Sequence, residues 1–445
     1  MTTVCVLGLG YVGLPTAAMF AIAGHSVVGV DPNPRVQAAL SSGKLHLTEP
    51  DLDALVGHAL HSGRLRVATR PEPADAFIIS VPTPLEPGTH TADLSFVEQA
   101  ARDILPCLRR GNLVVLESTV PPRTTRDFVA PILTTSGLEP GRDMYVAHCP
   151  ERVLPGRILV ELEENDRLAG GLTPACAERA AQLYATFVKG AIIRTDATTA
   201  EMVKVMENTY RDVNVALANE FARIAERVGV DVHEAIRLAN RHPRVNVLRP
   251  GPGVGGHCVA LDPWFLVQAA PQESELIRTA RLVNDTQPER VLARLAGLAQ
   301  PPAPVALLGL TYKADVDDVR ESPALRVAEL AVAHGFDVRL CDPNVTRPDE
   351  ASLPAPLVPI EQAVRDAEAI VLLVDHAVFK ELDIDLLAAL VSRRHLLDTR
   401  GLVDASAWRA RGFTVRVLGN GQAIDEGTHP VPRASRQTAP AARKG

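Results

Sequence analysis

The sequence has few of the features that mark secreted, metal-binding, membrane or nucleic-acid-binding proteins. Its six scattered cysteines form no CxxC pair and no metal-ligand spacing, so we expect a reducing compartment, no disulfide framework and no metal site. No apolar run is long enough to span a bilayer, and the amino terminus enters a strand at once, which leaves no room for a signal peptide. The net charge of −7 argues against a general nucleic-acid binder. The sequence therefore predicts a cytoplasmic globular protein without nucleic-acid or membrane partners.

Short apolar segments alternate with helix-compatible segments in the amino-terminal part of the chain. Such alternation predicts a parallel sheet with helices on both of its faces. We therefore expect a Rossmann-like domain over residues 1–196. The predicted strands cover residues 3–10, 26–30, 76–81, 113–117 and 144–148.

The second half of the chain repeats the plan of the first. Residues 335–344 match residues 24–33 without gaps, and both segments end in Asp-Pro-Asn. This similarity predicts a second Rossmann-like, doubly wound domain over residues 299–420. The second copy has Gly309-Leu-Thr-Tyr-Lys313 in place of GxGxxG, so we expect it to bind something other than a dinucleotide. Residues 421–445, rich in Pro, Ala, Arg and Ser, are predicted to be a disordered tail.

Residues 197–298 are predicted to be a central helical and dimerisation domain. One long helix should run from residue 198 to about 228 and end at Gly229, with Thr198 or Thr199 as its amino-terminal cap. The predicted fold class is therefore α/β, with two Rossmann-like doubly wound domains joined by a central helical segment. The apolar face of the long helix comprises Val203, Met206, Tyr210, Val213, Leu217, Phe221 and Ile224.

A glycine motif suited to a dinucleotide opens the chain. Gly8-Leu-Gly10-Tyr-Val-Gly13 lies between a predicted strand and a predicted helix, and Asp31 ends the next strand. These glycines permit a tight turn and a close approach of a pyrophosphate to the helix amino terminus. Asp31 would accept hydrogen bonds from the adenosine ribose and would repel a 2′-phosphate, so NAD is favoured over NADP. Arg35 argues for NADP unless it is only a solvated helix charge.

Cys258 ends a glycine-rich run that covers residues 249–258. A thiol can hold an aldehyde as a thiohemiacetal, which is then oxidised to a thioester and hydrolysed to a carboxylate. The alternative is a buried structural cysteine in a turn. Asp262, four residues later, is suited to orient a lysine or a water molecule, or to cap a helix.

Other polar groups have both a functional and a structural interpretation. Lys204, Asn208 and Arg211 form a stripe opposite the apolar face of the long helix, and they line a site or are simply solvated. Arginines beside the glycine run, such as Arg244 and Arg249, suit phosphate contacts or form surface charge.

Similar alternatives apply at the ends of predicted strands. Thr83 and Thr119 place hydroxyl groups where open α/β sheets bind their ligands, although polar strand ends are common. Lys313 and Arg320, which lie among aspartates, would suit an anionic ligand or form internal ion pairs.

Together these segments resemble the UDP-glucose/GDP-mannose dehydrogenase family, and the resemblance covers nearly the whole chain to about residue 420. Within the family, segments such as Cys149-Pro-Glu-Arg-Val-Leu-Pro-Gly156 are most similar to bacterial members that act on UDP-N-acetylmannosamine. The motifs that match in order are residues 8–14, 81–84, 117–119, 150–152, 207–210, 255–258 and 320–323.

The resemblance implies oxidation of a sugar 6-hydroxyl to a 6-carboxylate, with two NAD+ reduced on one substrate. It implies that Cys258 is the nucleophile that holds the aldehyde and then the thioester. Lys204 would be the general acid/base or oxyanion partner, and Asn208 would donate to the same oxygen. Asp262 would position the lysine or the hydrolytic water.

The resemblance also implies the binding residues. Thr119 and Glu151 would orient the hydrolytic water and the nicotinamide. Because some arginine contacts in relatives come from the neighbouring subunit, we expect a homodimer whose UDP-N-acetyl-hexosamine site is completed by that subunit. The residues implied for NAD are Gly8, Gly10, Tyr11, Val12, Gly13, Asp31, Arg35, Thr83, Thr119 and Arg320. Those implied for the substrate are Arg152, Val153, Lys204, Asn208, Arg211, His242, Arg244, Gly255, Tyr312 and Lys313.

One departure from the family pattern narrows the substrate. UDP-glucose dehydrogenases carry an extra glutamate shortly after the Pro-Glu pair, and Pro155 stands there in this sequence. Loss of a carboxylate near the sugar favours an N-acetyl group, so UDP-N-acetyl-D-mannosamine is preferred over UDP-glucose. UDP-N-acetylglucosamine stays the main alternative because it differs only at C2. Two other classes stay open: a non-catalytic nucleotide-sugar sensor, and a two-electron dehydrogenase of the 6-phosphogluconate type.

Overall fold

The computed structural model describes residues 2–43, 45, 49–154, 156–256, 258–345 and 353–421. Pro155 and the predicted tail beyond residue 421 lie outside these residues. Two open sheets and a helical segment between them confirm the predicted α/β class. Within the described ranges, no helix combines the length and the apolar character needed to cross a membrane.

The first sheet holds eight strands among the described residues. They are β1 (Thr3–Leu7), β2 (Ser26–Val30), β3 (Leu65–Ala68), β4 (Ala76–Ile79), β5 (Leu113–Leu116), β6 (Tyr145–His148), β7 (Arg167–Gly171) and β8 (Ile192–Asp196). Their order is β3-β2-β1-β4-β5-β6-β7-β8, and the first six strands are parallel. The order of these six is that of a dinucleotide-binding sheet.

The predicted parallel sheet is confirmed for these six strands, and the sheet departs from it at its far edge. β7 runs antiparallel to β6, with His148 opposite Gly170, and β8 runs parallel to β7. The connection after β6 does not return to the edge at which β6 begins. β7 therefore starts near the edge at which β6 ends. β3, β7 and β8 were not predicted, because these strands carry polar or glycine residues in place of a continuous apolar run.

Helices cover both faces of the inner strands β1, β4 and β5, which are buried along almost their whole length. Two apolar layers, one on each face of the sheet, form the core of this part. The helices are α1 (Gly13–Ile22), α2 (Pro34–Ser41), α3 (Leu52–His61), α4 (Ser95–Ile104), α5 (Ala130–Thr134), α6 (Ile158–Glu164) and α7 (Pro174–Tyr184). A 3-10 turn covers Leu105–Cys107 and a π-helical turn covers Thr125–Val129.

Five helices form the described part of the central segment. The longest, α8, ends at Gly229, which adopts a left-handed conformation with φ 76°, as predicted. The prediction of Thr198 or Thr199 as its cap is wrong, because the Asp196 side chain accepts the Thr199 N–H and so satisfies the first turn. The helices are α8 (Ala197–Val228), α9 (Val232–Ala239), α10 (Asp262–Ala269), α11 (Glu275–Asp285) and α12 (Gln287–Ala296).

Within the ranges that the structure describes, the second sheet contains five parallel strands. They are β9 (Pro304–Leu308), β10 (Asp337–Cys341), β11 (Ala369–Leu372), β12 (His395–Asp398) and β13 (Thr414–Val417), in the order β10-β9-β11-β12-β13. The helices are α13 (Pro323–Ala333), α14 (Ile360–Val364), α15 (Ile384–Leu390) and α16 (Ala405–Ala410), with a 3-10 turn at Ala377–Glu381.

The internal repeat predicted from sequence is visible in backbone detail. The first strand of each sheet is followed by a glycine with positive φ, Gly8 at 89° and Gly309 at 92°. The residue after each glycine donates its N–H to an aspartate that follows the next strand, Asp31 at 3.0 Å and Asp342 at 2.6 Å. The two halves therefore share one strand–turn design although only the first retains GxGxxG.

Candidate active site

Four parts of the chain meet at one edge of the first sheet. They are the carboxyl ends of its strands, the buried side of α8, the cysteine loop and the aspartate loop. We define the cysteine loop as residues 249–256 with Cys258, and the aspartate loop as residues 311–322, which follow β9. The site is therefore shared by both sheets and the central helices.

The turn after β1 fits the pyrophosphate of a dinucleotide. A Cβ at Gly13 would lie 1.9 Å from the Gly8 carbonyl oxygen, so only glycine permits this close packing. At Gly10 no atom lies within 4 Å of such a position, which leaves the front of the turn open to a ligand. No side chain caps the amino terminus of α1, where Val12 is the cap residue, so its N–H groups can face a phosphate. Asp31 is half-buried beside this turn.

The aspartate loop reaches across to this turn. The guanidinium of Arg320 lies 5.0 Å from the centre of the Tyr11 ring. Asp318 holds the guanidinium through hydrogen bonds of 2.6, 2.9 and 3.1 Å. Arg320, predicted to bind NAD, thus lies beside the glycine turn. It also forms an ion pair with Asp318, which was the structural alternative for this residue.

Asp262 and Asn208 form the buried centre of the site. The Asn208 side-chain amide donates to the Asp262 carboxylate over 2.6 Å, and both side chains are buried. Burial raises the pKa of Asp262 to about 6, while the charge of Lys204 and the Asn208 hydrogen bond act in the opposite direction. Asn208 is therefore buried against Asp262, and Lys204 is half-buried close enough for its charge to act on the same carboxylate.

Cys258 lies against this pair at the start of the turn that leads into α10. Its carbonyl oxygen accepts the N–H of Asp262 over 2.9 Å. Burial, with a smaller contribution from the Asp262 carboxylate, raises the pKa of the Cys258 thiol to about 11. Lys204 and Arg320 act in the opposite direction and Asp318 also raises the pKa, so the thiol has two cations and two carboxylates in its surroundings.

Two glycines let the cysteine loop pack directly on the aspartate loop. A Cβ at Gly255 would lie 2.3 Å from the Glu321 carbonyl oxygen, and one at Gly256 would lie 3.0 Å from the Tyr312 ring. Gly256 also has φ 85°. Tyr312, predicted to contact substrate, therefore lies beside the loop that carries Cys258.

The threonines and Glu151 lie at the carboxyl ends of the first sheet. Thr83 Oγ1 donates to the Thr119 carbonyl oxygen over 2.6 Å and so joins the loops after β4 and β5. Glu151 is buried, and Arg152 beside it pairs with Glu207 of α8, with Nε to Oε2 at 3.0 Å. This ion pair fixes the segment after β6 against the helix that carries Lys204.

Several predicted binding residues are not joined to this centre by the described contacts. Arg211, His242, Arg244 and Arg35 are exposed in the single chain. Among the remaining predicted residues, Val153 packs against the core of the first sheet and Lys313 is half-buried in the aspartate loop. Within the described chain no three His, Cys, Asp or Glu side chains are grouped as metal ligands.

Two arginines that were not predicted from the sequence lie near the site in the described part of the chain. Arg167 starts β7 and pairs with Glu151, with 2.8 Å between Nη1 and Oε2. Arg400 follows β12, donates to Asp375 over 3.2 Å, and lies so close to Gly251 that a Cβ there would be 2.2 Å from its guanidinium. The sequence could have indicated Arg400, because this cation lies at the carboxyl end of a parallel strand, where open α/β sheets bind their ligands.

Family models match most of the chain in three consecutive parts. Residues 2–188 match the NAD binding domain of the UDP-glucose/GDP-mannose dehydrogenase family, residues 198–286 match its central domain, and residues 306–405 match its UDP binding domain. The first match agrees with the glycine turn, and the cofactor is NAD.

Relatives match over nearly their whole length. The chain is 48% identical over 425 residues to UDP-N-acetyl-D-mannosamine dehydrogenase of Methanocaldococcus jannaschii, covering 94% of this chain and 97% of that protein. It is 49% identical over 415 residues to NDP-N-acetyl-D-galactosaminuronic acid dehydrogenase of Ralstonia nicotianae, covering 91% and 96%. The structure of UDP-D-ManNAc dehydrogenase from Pyrococcus horikoshii has a TM-score of 0.87 and 42% identity, covering 95% of this chain and 100% of that chain. With all three domains present in order, the chain belongs to the UDP-glucose/GDP-mannose dehydrogenase family.

Proposed function

We propose that the protein oxidises UDP-N-acetyl-D-mannosamine at C6 to UDP-N-acetyl-D-mannosaminuronic acid. The observation that carries this proposal is the grouping of Cys258 and Lys204 with the Asn208–Asp262 pair, across from a dinucleotide turn. A dehydrogenase that stops at an aldehyde has no use for a thiol at this position. The relatives from Methanocaldococcus jannaschii and Pyrococcus horikoshii are named for the N-acetylmannosamine sugar, and we extend that substrate to this chain.

The oxidation uses the groups at the centre of the site in sequence. Lys204 accepts the proton of the C6 hydroxyl while a first hydride leaves C6, which yields the aldehyde, and Asn208 donates a hydrogen bond to the same oxygen. The sulfur of Cys258 then adds to the aldehyde carbon, and its proton moves to the aldehyde oxygen, which yields a thiohemiacetal. Loss of a second hydride from this carbon yields a thioester on Cys258.

Hydrolysis completes the reaction and restores the thiol. Thr119 and Glu151 orient a water molecule that adds to the thioester carbonyl, and the carbon–sulfur bond then breaks. Asp262 keeps Lys204 in place for the proton transfers. Overall one alcohol and one water yield one carboxylate, two hydrides and three protons, and bound NAD+ supplies the acceptor for both hydrides.

The binding roles follow the same division of the chain. We propose that the turn from Gly8 to Gly13, Asp31, Arg35, Thr83, Thr119 and Arg320 bind NAD. The nucleotide sugar would be bound by Arg152, Val153, Lys204, Asn208, Gly255, Tyr312 and Lys313, and Arg400 joins them as a cation beside the cysteine loop. We keep residues 1–196, 197–298 and 299–420 as the proposed NAD-binding, central and UDP-sugar-binding domains.

A cytoplasmic homodimer is part of the proposal. Met206, Tyr210 and Ile224 lie on one face of α8 and are 50%, 67% and 51% exposed in the single chain. Large apolar side chains in a continuous row favour a protein interface over solvent. Arg211 lies on the same helix and is exposed, as are His242 and Arg244, so these three residues are suited to complete the substrate site of the neighbouring subunit.

The stoichiometry of NADH tests the proposed reaction. Incubation of the enzyme with NAD+ and limiting UDP-N-acetyl-D-mannosamine should yield two NADH per sugar and a carboxylate product. A yield of one NADH with accumulated aldehyde would contradict the double oxidation. Cys258→Ser should abolish turnover while NAD binding is retained, and wild-type turnover in this variant would exclude the nucleophile role.

A substrate panel tests the sugar. UDP-N-acetylmannosamine should have the highest kcat/KM, with UDP-N-acetylglucosamine and UDP-glucose far below it. The Ralstonia relative, whose printed name carries an N-acetyl-galactosamine sugar, makes UDP-N-acetylgalactosamine a necessary member of the panel. Preference for any other member would overturn the assignment of the sugar but not that of the reaction.

A further inference from the structure

A buried group of charges lies behind Glu151 and has no role in the reaction as described above. Arg167 is at its centre and is only 5% exposed. One Nη of the guanidinium lies 2.8 Å from Glu151 Oε2, and the other lies 2.5 Å from Glu117 Oε1. The guanidinium also lies 4.0 Å from the centre of the Tyr184 ring, and the Tyr184 hydroxyl donates to Glu117 over 3.1 Å.

The reversed strand β7 explains why Arg167 reaches this place. His148 of β6 pairs with Gly170 of β7 in antiparallel register. Continued by three residues, this register sets residue 151 opposite residue 167. The first residue of β7 therefore lies at the edge where the parallel strands end, which is the edge that carries ligands in open α/β sheets.

The Glu151 carboxylate is held on both of its oxygens. Oε2 accepts from the Arg167 guanidinium, and Oε1 accepts the Arg152 backbone N–H over 2.6 Å. Hydrogen bonds to charged groups are stronger than neutral ones, and two bonds on different oxygens fix the plane of the carboxylate. Glu151 therefore has one orientation, and Arg167 determines it from behind.

We propose that Arg167 is a positioning residue for the hydrolytic half of the reaction, holding the Glu151 carboxylate so that it directs a water molecule onto the Cys258 thioester. This inference rests on the proposed function. No described hydrogen bond or ion pair joins Arg167 to Lys204, Asn208 or Asp262, which act in the oxidation steps. Loss of Arg167 should consequently slow thioester hydrolysis more than either hydride transfer.

The test separates the two halves of the reaction in time. Wild type, Arg167→Lys and Glu151→Gln are mixed rapidly with NAD+ and UDP-N-acetyl-D-mannosamine, and NADH absorbance is followed. Arg167→Lys should release close to two NADH per active site in a burst and then turn over tenfold to about a hundredfold more slowly than wild type. Intact-mass analysis of quenched samples should find the sugar adduct on Cys258, as for Glu151→Gln.

Tyr184→Phe is the matched control within the same buried group. It removes the hydroxyl that donates to Glu117 and keeps the ring beneath the guanidinium, so steady-state turnover should stay within a few-fold of wild type without an adduct. An equal burst and adduct in Tyr184→Phe would assign the effect to general disturbance of the cluster and overturn the proposal.

A second variant covers the case in which Arg167→Lys does not fold. The double change Arg167→Met with Glu117→Gln removes one buried charge of each sign, and its NAD affinity and melting curve report on its fold. A burst and an adduct in this variant would support the proposal.

Two results would overturn the proposal. One is turnover at the wild-type rate by either Arg167 variant in its folded form. The other is formation of the first NADH that is slowed by the same factor as the steady-state rate. Failure of wild type to produce two NADH would refute the proposed function instead.

Discussion

At the scale of single residues, the reactivity of Cys258 depends on charges that act in opposite directions. Burial and, to a smaller extent, the Asp262 carboxylate raise the pKa of its thiol to about 11, while the charge of Lys204 acts in the opposite direction. The thiolate is the nucleophilic form of cysteine. The surroundings of the thiol therefore determine how much of it is reactive before substrate binds.

Substitution of the two neighbours should move this pKa in opposite directions. Asp262→Asn removes the like charge and should lower the Cys258 pKa, whereas Lys204→Met removes the cation and should raise it. At a fixed pH of 8 the alkylation rate changes about tenfold for each pKa unit. The pH dependence of iodoacetamide labelling, resolved by peptide mass, measures both values. A shift in the same direction for both variants would contradict the proposed electrostatics.

Glu117 should make stability depend on pH in a way that is unusual for a carboxyl group. Burial is the main cause that raises its pKa from 4.5 to about 7. The folded state therefore binds a proton that the unfolded state releases between these values, so stability falls as pH rises from about 4.5 to 7.

Glu117→Gln removes this titration. The free energy of unfolding of the variant relative to wild type should rise by about 1–3 kcal/mol between pH 5 and pH 8. Urea unfolding at several pH values measures the change, and any constant cost of losing the Arg167 ion pair cancels in the comparison. The exposed Glu98→Gln serves as a control. A difference that stays flat across this range would contradict the raised pKa.

At the scale of elements, α8 buries its small and polar side and exposes its apolar side. The buried side includes Ala200, Val205, Asn208, Asp212 and Ala216. The large apolar residues assigned to one face by the sequence are partly or largely exposed, since the rest of the chain packs on the opposite face. Periodicity therefore located the face, but it could not tell whether this chain or a second one covers it.

The cap of α8 is a testable element of this arrangement. Asp196→Ala removes the acceptor for the Thr199 N–H and should lower stability by about 1 kcal/mol. Thr198→Ala, whose hydroxyl has no hydrogen-bond partner among the described residues, should cost much less. Thermal unfolding of both variants measures the difference, and equal costs would contradict Asp196 as the cap.

At the scale of the whole molecule, the exposed face of α8 should decide both assembly and activity. Ile224→Glu places a charge in the apolar row and should shift the protein from dimer to monomer, as measured by light scattering. The exposed Val332→Glu on α13 is a control that should stay dimeric. A dimeric Ile224→Glu variant would contradict this interface.

A shared active site makes a further prediction about mixed dimers. Cys258→Ser and Arg244→Ala should each be inactive alone. After subunit exchange, a mixed dimer combines an intact Cys258 in one subunit with an intact Arg244 in the other, so activity should return. Activity that stays absent in verified mixed dimers would show that Arg244 serves its own subunit.

Local sequence was sufficient to predict the features that depend on neighbouring residues or on periodicity. The glycine turn with Asp31, the long helix that brings Lys204 and Asn208 to one side, and the repeated strand–turn design all follow from short-range spacing. Tertiary structure alone decided the reversal of β7, the meeting of Asn208 with Asp262 and the pairing of Arg167 with Glu151. These contacts join residues far apart in the chain, and the direction of a strand depends on the path of its connection rather than on its own residues. The sequence thus identified the candidate groups for the proposed chemistry, and the packing of the sheets on the central helices determined which of them touch.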